Sequence, residues 1–231
     1  LAHSLPHVPL FRSKEFEGRS ARGIYGDVIE EIDHNVGRIL DTLRELKLDR
    51  QTLVVFLSDN GPWMPYLEQG GSAGLLRGAK GSTWEGGMRV PAIFWQPGTV
   101  QPGVTVGIGS EMDLLPTFAR LAGASVPPGR SLDGQDLSAT LTKGAPSPRE
   151  TVFYYNGARL TGVRHRAFKL HLSMAAGSGA SGAAAIPAPA SPAWELYNLD
   201  EDPSEKFDLA GKHPEIVREL SLPEHGLEIL P

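Results

Sequence analysis

TLVVFLSDNG, residues 52–61, decides the fold. Its first six residues are apolar and β-rich and lie between polar turns, the pattern of a strand buried on both faces. Upstream, Tyr25, Val28, Ile32, Val36, Ile39, Leu43 and Leu46 recur at helical steps and form the apolar stripe of a surface helix. Glu30, Glu31 and Asp33 lie off that stripe and read as its solvated face. A helix feeding a buried strand predicts a parallel α/β sheet. Downstream, residues 58–89 form a glycine-studded loop far longer than an ordinary connection, and loops of that size are usually functional or disordered. The varied chemistry of this one (Asp, Asn, Trp, Arg, Lys and Glu) favours function.

Beyond the loop, VPAIFW at 90–95 predicts a second buried strand. A helix over 112–122 is interrupted by Pro116, and a short helix covers 133–141. From residue 151 the pattern changes. TVFYYN, LTGVRHR, AFKLHLS and, at 194–199, WELYNL predict short strands, followed by a turn at 200–204 and a helix near 213–220. Residues 175–192 are almost entirely Ala, Gly, Ser and Pro, a flexible excursion without core potential. The chain therefore divides into an α/β portion, 1–148, and a small antiparallel portion, 149–231.

Composition limits the function classes. With 231 residues, 40% of them hydrophobic, the chain can build one sizeable core and is too apolar for a disordered protein. A net charge of −5 with no long basic run argues against nucleic acid or an anionic membrane as main partner. No apolar run approaches the roughly 20 residues of a membrane span. There is no cysteine, so disulfides, thiolate metal sites and a cysteine nucleophile are excluded within this chain. No targeting signal is visible.

Three places could carry chemistry. Asp59 and Asn60 follow the strand directly, at the end where open α/β sheets gather ligands. A carboxylate beside an amide carbonyl offers two hard oxygen ligands, suited to Ca²⁺ or Mg²⁺; the alternative is an Asx-turn that ends the strand. Lys80, within GLLRGAKGSTWEGG, has glycines around it that let its ammonium and backbone approach a ligand; the alternative is a solvated loop lysine. A phosphate-binding P-loop is excluded there, because Ala79 and Gly81 occupy positions that require Gly and Ser or Thr. His3 and His7 are spaced like a helical metal pair, but Pro6 between them opposes a helix. His7 is a candidate proton donor or anion ligand, or else an exposed loop histidine. Together these groups suit an oxyester anion, whose developing charge fixed cations stabilise.

Across LPHVPLF, YGDVIEEIDHNVGRIL, VVFLSDNGP, GGSAGLLRGAKGSTWEGGMRVPAIFWQPG, MDLLPTFARLAGA, LDGQDLSATL and WELYNLDEDPSE, the sequence resembles the sulfatase family, in particular its arylsulfatase A and N-acetylgalactosamine-6-sulfatase branch. The resemblance implies an alkaline-phosphatase-superfamily fold, a mixed sheet flanked by helices followed by a small antiparallel sheet with a helix. It implies Asp59 and Asn60 as ligands of one Ca²⁺, whose other ligands belong upstream. It also implies Lys80 and His7 as catalytic groups that bind the sulfate, with His7 either holding it or protonating the leaving group.

The implied activity is calcium-dependent hydrolysis of a sulfate ester, either an aryl sulfate or a sulfated sugar, by a formylglycine made from Cys or Ser in a C/S-x-P-x-R motif. That motif is missing here. Ser125–Val–Pro–Pro–Gly–Arg130 places its arginine one position late, and Ser147–Pro–Arg does not fit. The chain therefore looks like the C-terminal portion of a sulfatase, inactive by itself, with the formylglycine in an N-terminal half. Export to the periplasm, the exterior or a lysosome is implied by the resemblance alone. A phosphodiesterase or phosphonate monoester hydrolase of the same superfamily and a non-catalytic fragment are the competing readings. Trp63, Tyr66 and Trp84 could stack on a ring of the substrate or simply pack.

Overall fold

A computed structural model describes residues 3–126, 129, 131–173 and 193–221. The predicted excursion at 175–192, and residues 127, 128 and 130 of the serine–arginine pattern, lie outside these.

The long amphipathic helix forms as its periodicity demands, α1 (Gly23–Glu45). Its stripe is covered unevenly: Val28 is buried, whereas Ile39 and Leu46 face outward. The strand at the heart of the sequence is β1 (Val54–Leu57). The long loop after it holds a 3-10 turn (Met64–Gln69) and one short helix, α2 (Glu85–Met88), before β2 (Ala92–Trp95).

Two expectations fail at these strands. β2 pairs with β1 antiparallel, with Val54 opposite Trp95 and Leu57 opposite Ala92, so the described residues contain no parallel sheet. The intervening loop reverses the chain instead of crossing over it as a helix. Nor is either strand buried on both faces, since Phe56 and Ile93 are exposed. Among the described residues these two strands form a sheet by themselves, and the Arg44 guanidinium of α1 lies 5.4 Å from the Trp95 ring of β2.

Pro116 does not interrupt its helix. A 3-10 turn (Glu111–Asp113) leads into α3 (Leu114–Leu121), and the proline sits in the first turn, where its missing N–H has no partner to lose. The next helix, α4 (Ser138–Lys143), closes on Gly144 in the left-handed conformation.

The C-terminal portion follows its prediction closely. β3 (Thr151–Asn156), β4 (Arg159–His165), β5 (Phe168–Ser173) and β6 (Ala193–Asn198) form one antiparallel sheet in sequential order, followed by α5 (Pro214–Leu220). One face of this sheet carries Val163, Leu170 and Leu196, packed with Leu220 of α5 into the main apolar cluster. The opposite face carries Tyr154, Lys169, His171 and Tyr197, all buried. It packs on the long loop, and so orders the segment that bears Lys80. No described helix is long and apolar enough to cross a membrane.

Candidate functional site

The turn after β1 is closed by Ser58, whose Oγ donates to the Asn60 carbonyl at 3.0 Å. In this bond the hydroxyl donates to a carbonyl, unlike an Asx-turn, in which a side-chain oxygen accepts a backbone N–H. Among the described residues the Asp59 carboxylate and the Asn60 amide make no hydrogen bond, and both remain free to ligate. Burial and then the charge of Asp59 raise the pKa of Glu111.

These donors have the right chemistry for a hard cation but do not complete a shell, since Ca²⁺ takes about six to eight oxygens. Among the described residues no group of three or more His, Cys, Asp or Glu converges on one point. Asp59 and Asn60 therefore fit as part of a ligand set.

The turn is joined directly to the lysine segment. The Gly61 N–H donates to the Gly87 carbonyl at 3.0 Å, and the Lys80 N–H donates to the Pro62 carbonyl at 2.9 Å. The approach is close enough that a Cβ on Gly61 would collide with the Gly86 carbonyl oxygen. A glycine is needed here for proximity, at a backbone angle any residue could adopt.

Lys80 and His7 come together over one ring. The Lys80 ammonium lies 5.2 Å from the centroid of Trp63, and the His7 imidazole lies 5.5 Å from it. Lys80 makes no ion pair among the described residues. His7 Nδ1 lies 2.7 Å from the Val8 carbonyl. A carbonyl only accepts, so Nδ1 carries a proton; Nε2 is then an acceptor in the neutral ring and a donor only in the imidazolium. His3 is held elsewhere, its Nδ1 against the backbone of Leu5, and has no part in this group.

What fixes the loop is a set of buried charges that the sequence reading missed. Glu85 of α2 accepts from Lys169 Nζ at 3.1 Å, from Arg89 Nε at 2.7 Å and from the Tyr154 hydroxyl at 3.2 Å. Lys169 reaches Glu205 at 2.8 Å and donates to the Thr83 carbonyl at 2.8 Å, while the Glu85 N–H donates to Glu205 at 2.7 Å. Lys169, Glu85 and Glu205 are all essentially inaccessible to water. Burial works to raise the pKa of Glu85, but the Lys169 and Arg89 cations outweigh it and hold the carboxyl below its usual range. For Glu205 burial prevails and the pKa is raised.

Trp84 is clamped between the Arg77 guanidinium, 3.6 Å from its ring, and the His171 ring, 3.8 Å away. Being buried there, it is a packing residue and not a substrate platform. Burial, then the charges of Lys169 and Arg77, push the pKa of His171 down to about 3. The one signal that could have found this network is the glutamate inside GSTWEGG, which lies in the same run as Lys80.

A second buried pair ties the two portions of the chain. Arg149 Nε donates to Asp113 at 2.8 Å, and its Nη2 donates to the Asp133 carbonyl at 2.7 Å. Burial would raise the Asp113 pKa, yet the Arg149 guanidinium and the N–H groups of Gln135 and Ser110 lower it overall. The arginine that failed to fit a nucleophile motif is thus a structural tether.

An α/β segment thus sets the Lys80 ammonium, the His7 imidazole and the hard oxygen donors of Asp59 and Asn60 along one loop. The chain belongs to the sulfatase family: the sulfatase family model matches residues 1–124, and the model for the C-terminal region of aryl-sulfatase matches residues 147–223. It is 40% identical over 230 residues to arylsulfatase A of Homo sapiens, covering 93% of this chain and 45% of the relative. It is 44% identical over 168 residues to N-acetylgalactosamine-6-sulfatase of Mus musculus, covering 72% of this chain and 32% of the relative. A solved Bacteroides thetaiotaomicron structure, described under the metabolism of multiple glycosaminoglycans, superposes with a TM-score of 0.81 at 30% identity, covering 96% of this chain and 48% of that one. The chain spans about half the length of the curated relatives it matches.

Proposed function

We propose that the protein bearing this chain hydrolyses sulfuric esters, with Lys80, His7, Asp59 and Asn60 forming its share of the site. The observation that supports this best is the convergence of Lys80 and His7 on Trp63, with Lys80 left without a carboxylate partner among the described residues. A cation that the protein does not neutralise is available to an incoming anion. Lys80 binds a sulfate oxygen and offsets charge as the S–O bond breaks. His7, held through Nδ1, presents Nε2 to the ester and, as the imidazolium with both ring nitrogens protonated, passes the Nε2 proton to the leaving oxygen. Asp59 and Asn60 supply two ligands to one Ca²⁺.

The calcium ion would polarise the sulfate, and a formylglycine contributed by residues outside this chain would supply the attacking oxygen. The chain has no cysteine and no fitting C/S-x-P-x-R motif, so by itself it is inactive.

The test is turnover of an aryl sulfate and of the matching aryl phosphate by the full-length protein. Preference for the sulfate is expected. Preference for the phosphate would move the assignment to a phosphodiesterase-like or phosphonate-hydrolase-like activity, and turnover of neither would overturn it.

A further inference from the structure

Between the Asp59–Asn60 turn and Lys80 the chain displays apolar side chains that neither the core nor the anion site uses. The Trp63 ring, half-buried, touches Lys80 and His7, and it has a third neighbour: the Tyr66 ring, 4.7 Å away and tilted by 55°. Tyr66 is 44% exposed, and Leu67 beside it is 78% exposed.

The loop that holds them is tightly closed. The Trp63 N–H donates to the Gly70 carbonyl at 2.9 Å, and the Gly70 N–H donates to the Leu67 carbonyl at 3.0 Å. Leu67 sits at φ 49°, ψ −124°, a conformation costly for a branched side chain. Burial is not the reason for this geometry, because the strain leaves a tyrosine and a leucine in water.

We propose that Trp63 and Tyr66 form the leaving-group subsite of the enzyme and that it takes a ring with a flat apolar face. The proposal rests on the sulfatase reading above. Only the bridging oxygen, with one exocyclic carbon in a hexose 6-sulfate, separates the ester sulfur from its ring, so a sulfate resting on Lys80 and His7 sets that ring against the aromatic pair next to them. An aryl ring and the C–H face of a pyranose share this chemistry, whereas an acyclic alkyl chain offers no flat face. Trp84, although in the same loop, is excluded by its clamp between Arg77 and His171.

Tyr66→Ala in the full-length enzyme is the decisive variant, because the tyrosine contacts Trp63 and neither Lys80 nor His7. Three esters are compared: an aryl sulfate, a hexose 6-sulfate and an acyclic alkyl sulfate, with inorganic sulfate as a competitive inhibitor. The expected result is a KM about three- to tenfold higher for the ring esters, in line with the loss of one aromatic stacking contact, with a smaller change for the alkyl ester and for sulfate inhibition. Tyr66→Phe should restore the KM. The ring ester with the larger shift identifies the source of the ring. Equal shifts for ring and alkyl esters, or a loss of thermal stability without a selective change in KM, would overturn the subsite and leave the sulfatase reading intact. If the unsubstituted enzyme turns over no sulfate ester, both fail together.

Discussion

Lys169 on β5 and Glu85 on α2, separated by 84 residues, meet at 3.1 Å with no water access to either. The loop that bears Lys80 is therefore gripped from beneath by the C-terminal sheet. The sheet's position beside the site is set by this contact and by Glu205 on the far side of the same ammonium.

Removing that ammonium should be expensive. Lys169→Met leaves Glu85 and Glu205 buried side by side, and breaking a buried ion pair at one partner typically costs about 3–5 kcal/mol. The expected outcome is a lower urea midpoint together with faster hydrogen exchange in residues 78–88. A midpoint loss with unchanged exchange there would mean that the lysine supports the sheet but not the loop.

Gly61→Ala should displace the turn that carries Asp59 and Asn60. The added methyl meets the Gly86 carbonyl, and relieving such overpacking costs about 1–3 kcal/mol. Calcium titration of the full-length protein should show weaker affinity, and Asp59→Ala should weaken it further.

Lys80→Ala should lower turnover of an aryl sulfate by about 10²–10³, the range for removing one group that stabilises developing oxyanion charge. Lys80→Arg should recover only part of that, since the guanidinium is broader and delocalised. Near-normal hydrolysis by the alanine variant would remove Lys80 from the site.

Acid should weaken the fold in two stages. Unfolded His171 takes up a proton below its usual value of 6.5, whereas folded His171 resists until about 3, so stability falls with pH across that window. Asp113 and Glu85 have lowered pKa values, so their contribution is complete above the ordinary carboxylate range and is lost as pH drops through their folded values. Glu205, being raised, works in the opposite sense: it favours the fold most at low pH and less as pH rises through its folded value. Urea midpoints measured from pH 7 to pH 3 should decline overall, and Asp113→Asn should flatten the lower part of the curve.

The elements themselves were largely legible, because α1 and the four C-terminal strands have clear periodicity. The pairing of β1 with β2 was not, since a strand's apolar run does not encode the direction of its neighbour. Asp59, Asn60, Lys80 and His7 stand out as candidates because their residue types are chemically conspicuous, and the structure brings His7 and Lys80 to one tryptophan. Lys169 was invisible for the opposite reason. In FKLHLS its alternation with leucines gives the pattern of a strand with one wet face, and only the loop packed on that face shows that the lysine is dry. Arg149 escaped similarly: its partner Asp113 is 36 residues away, and no local pattern links them.

The wide sequence span of the loop's supports also sets an order of events at the ribosome. Glu85 emerges well before Glu205, the carboxylate that receives its N–H across 120 residues. At about 5–20 residues per second, the wait is on the order of ten seconds. During that time the segment carrying Lys80 has left the exit tunnel without the partners that give it shape. This loop is thus among the last parts of the nascent chain to mature, and a premature stop anywhere before residue 205 would leave it unset, however well α1 had folded.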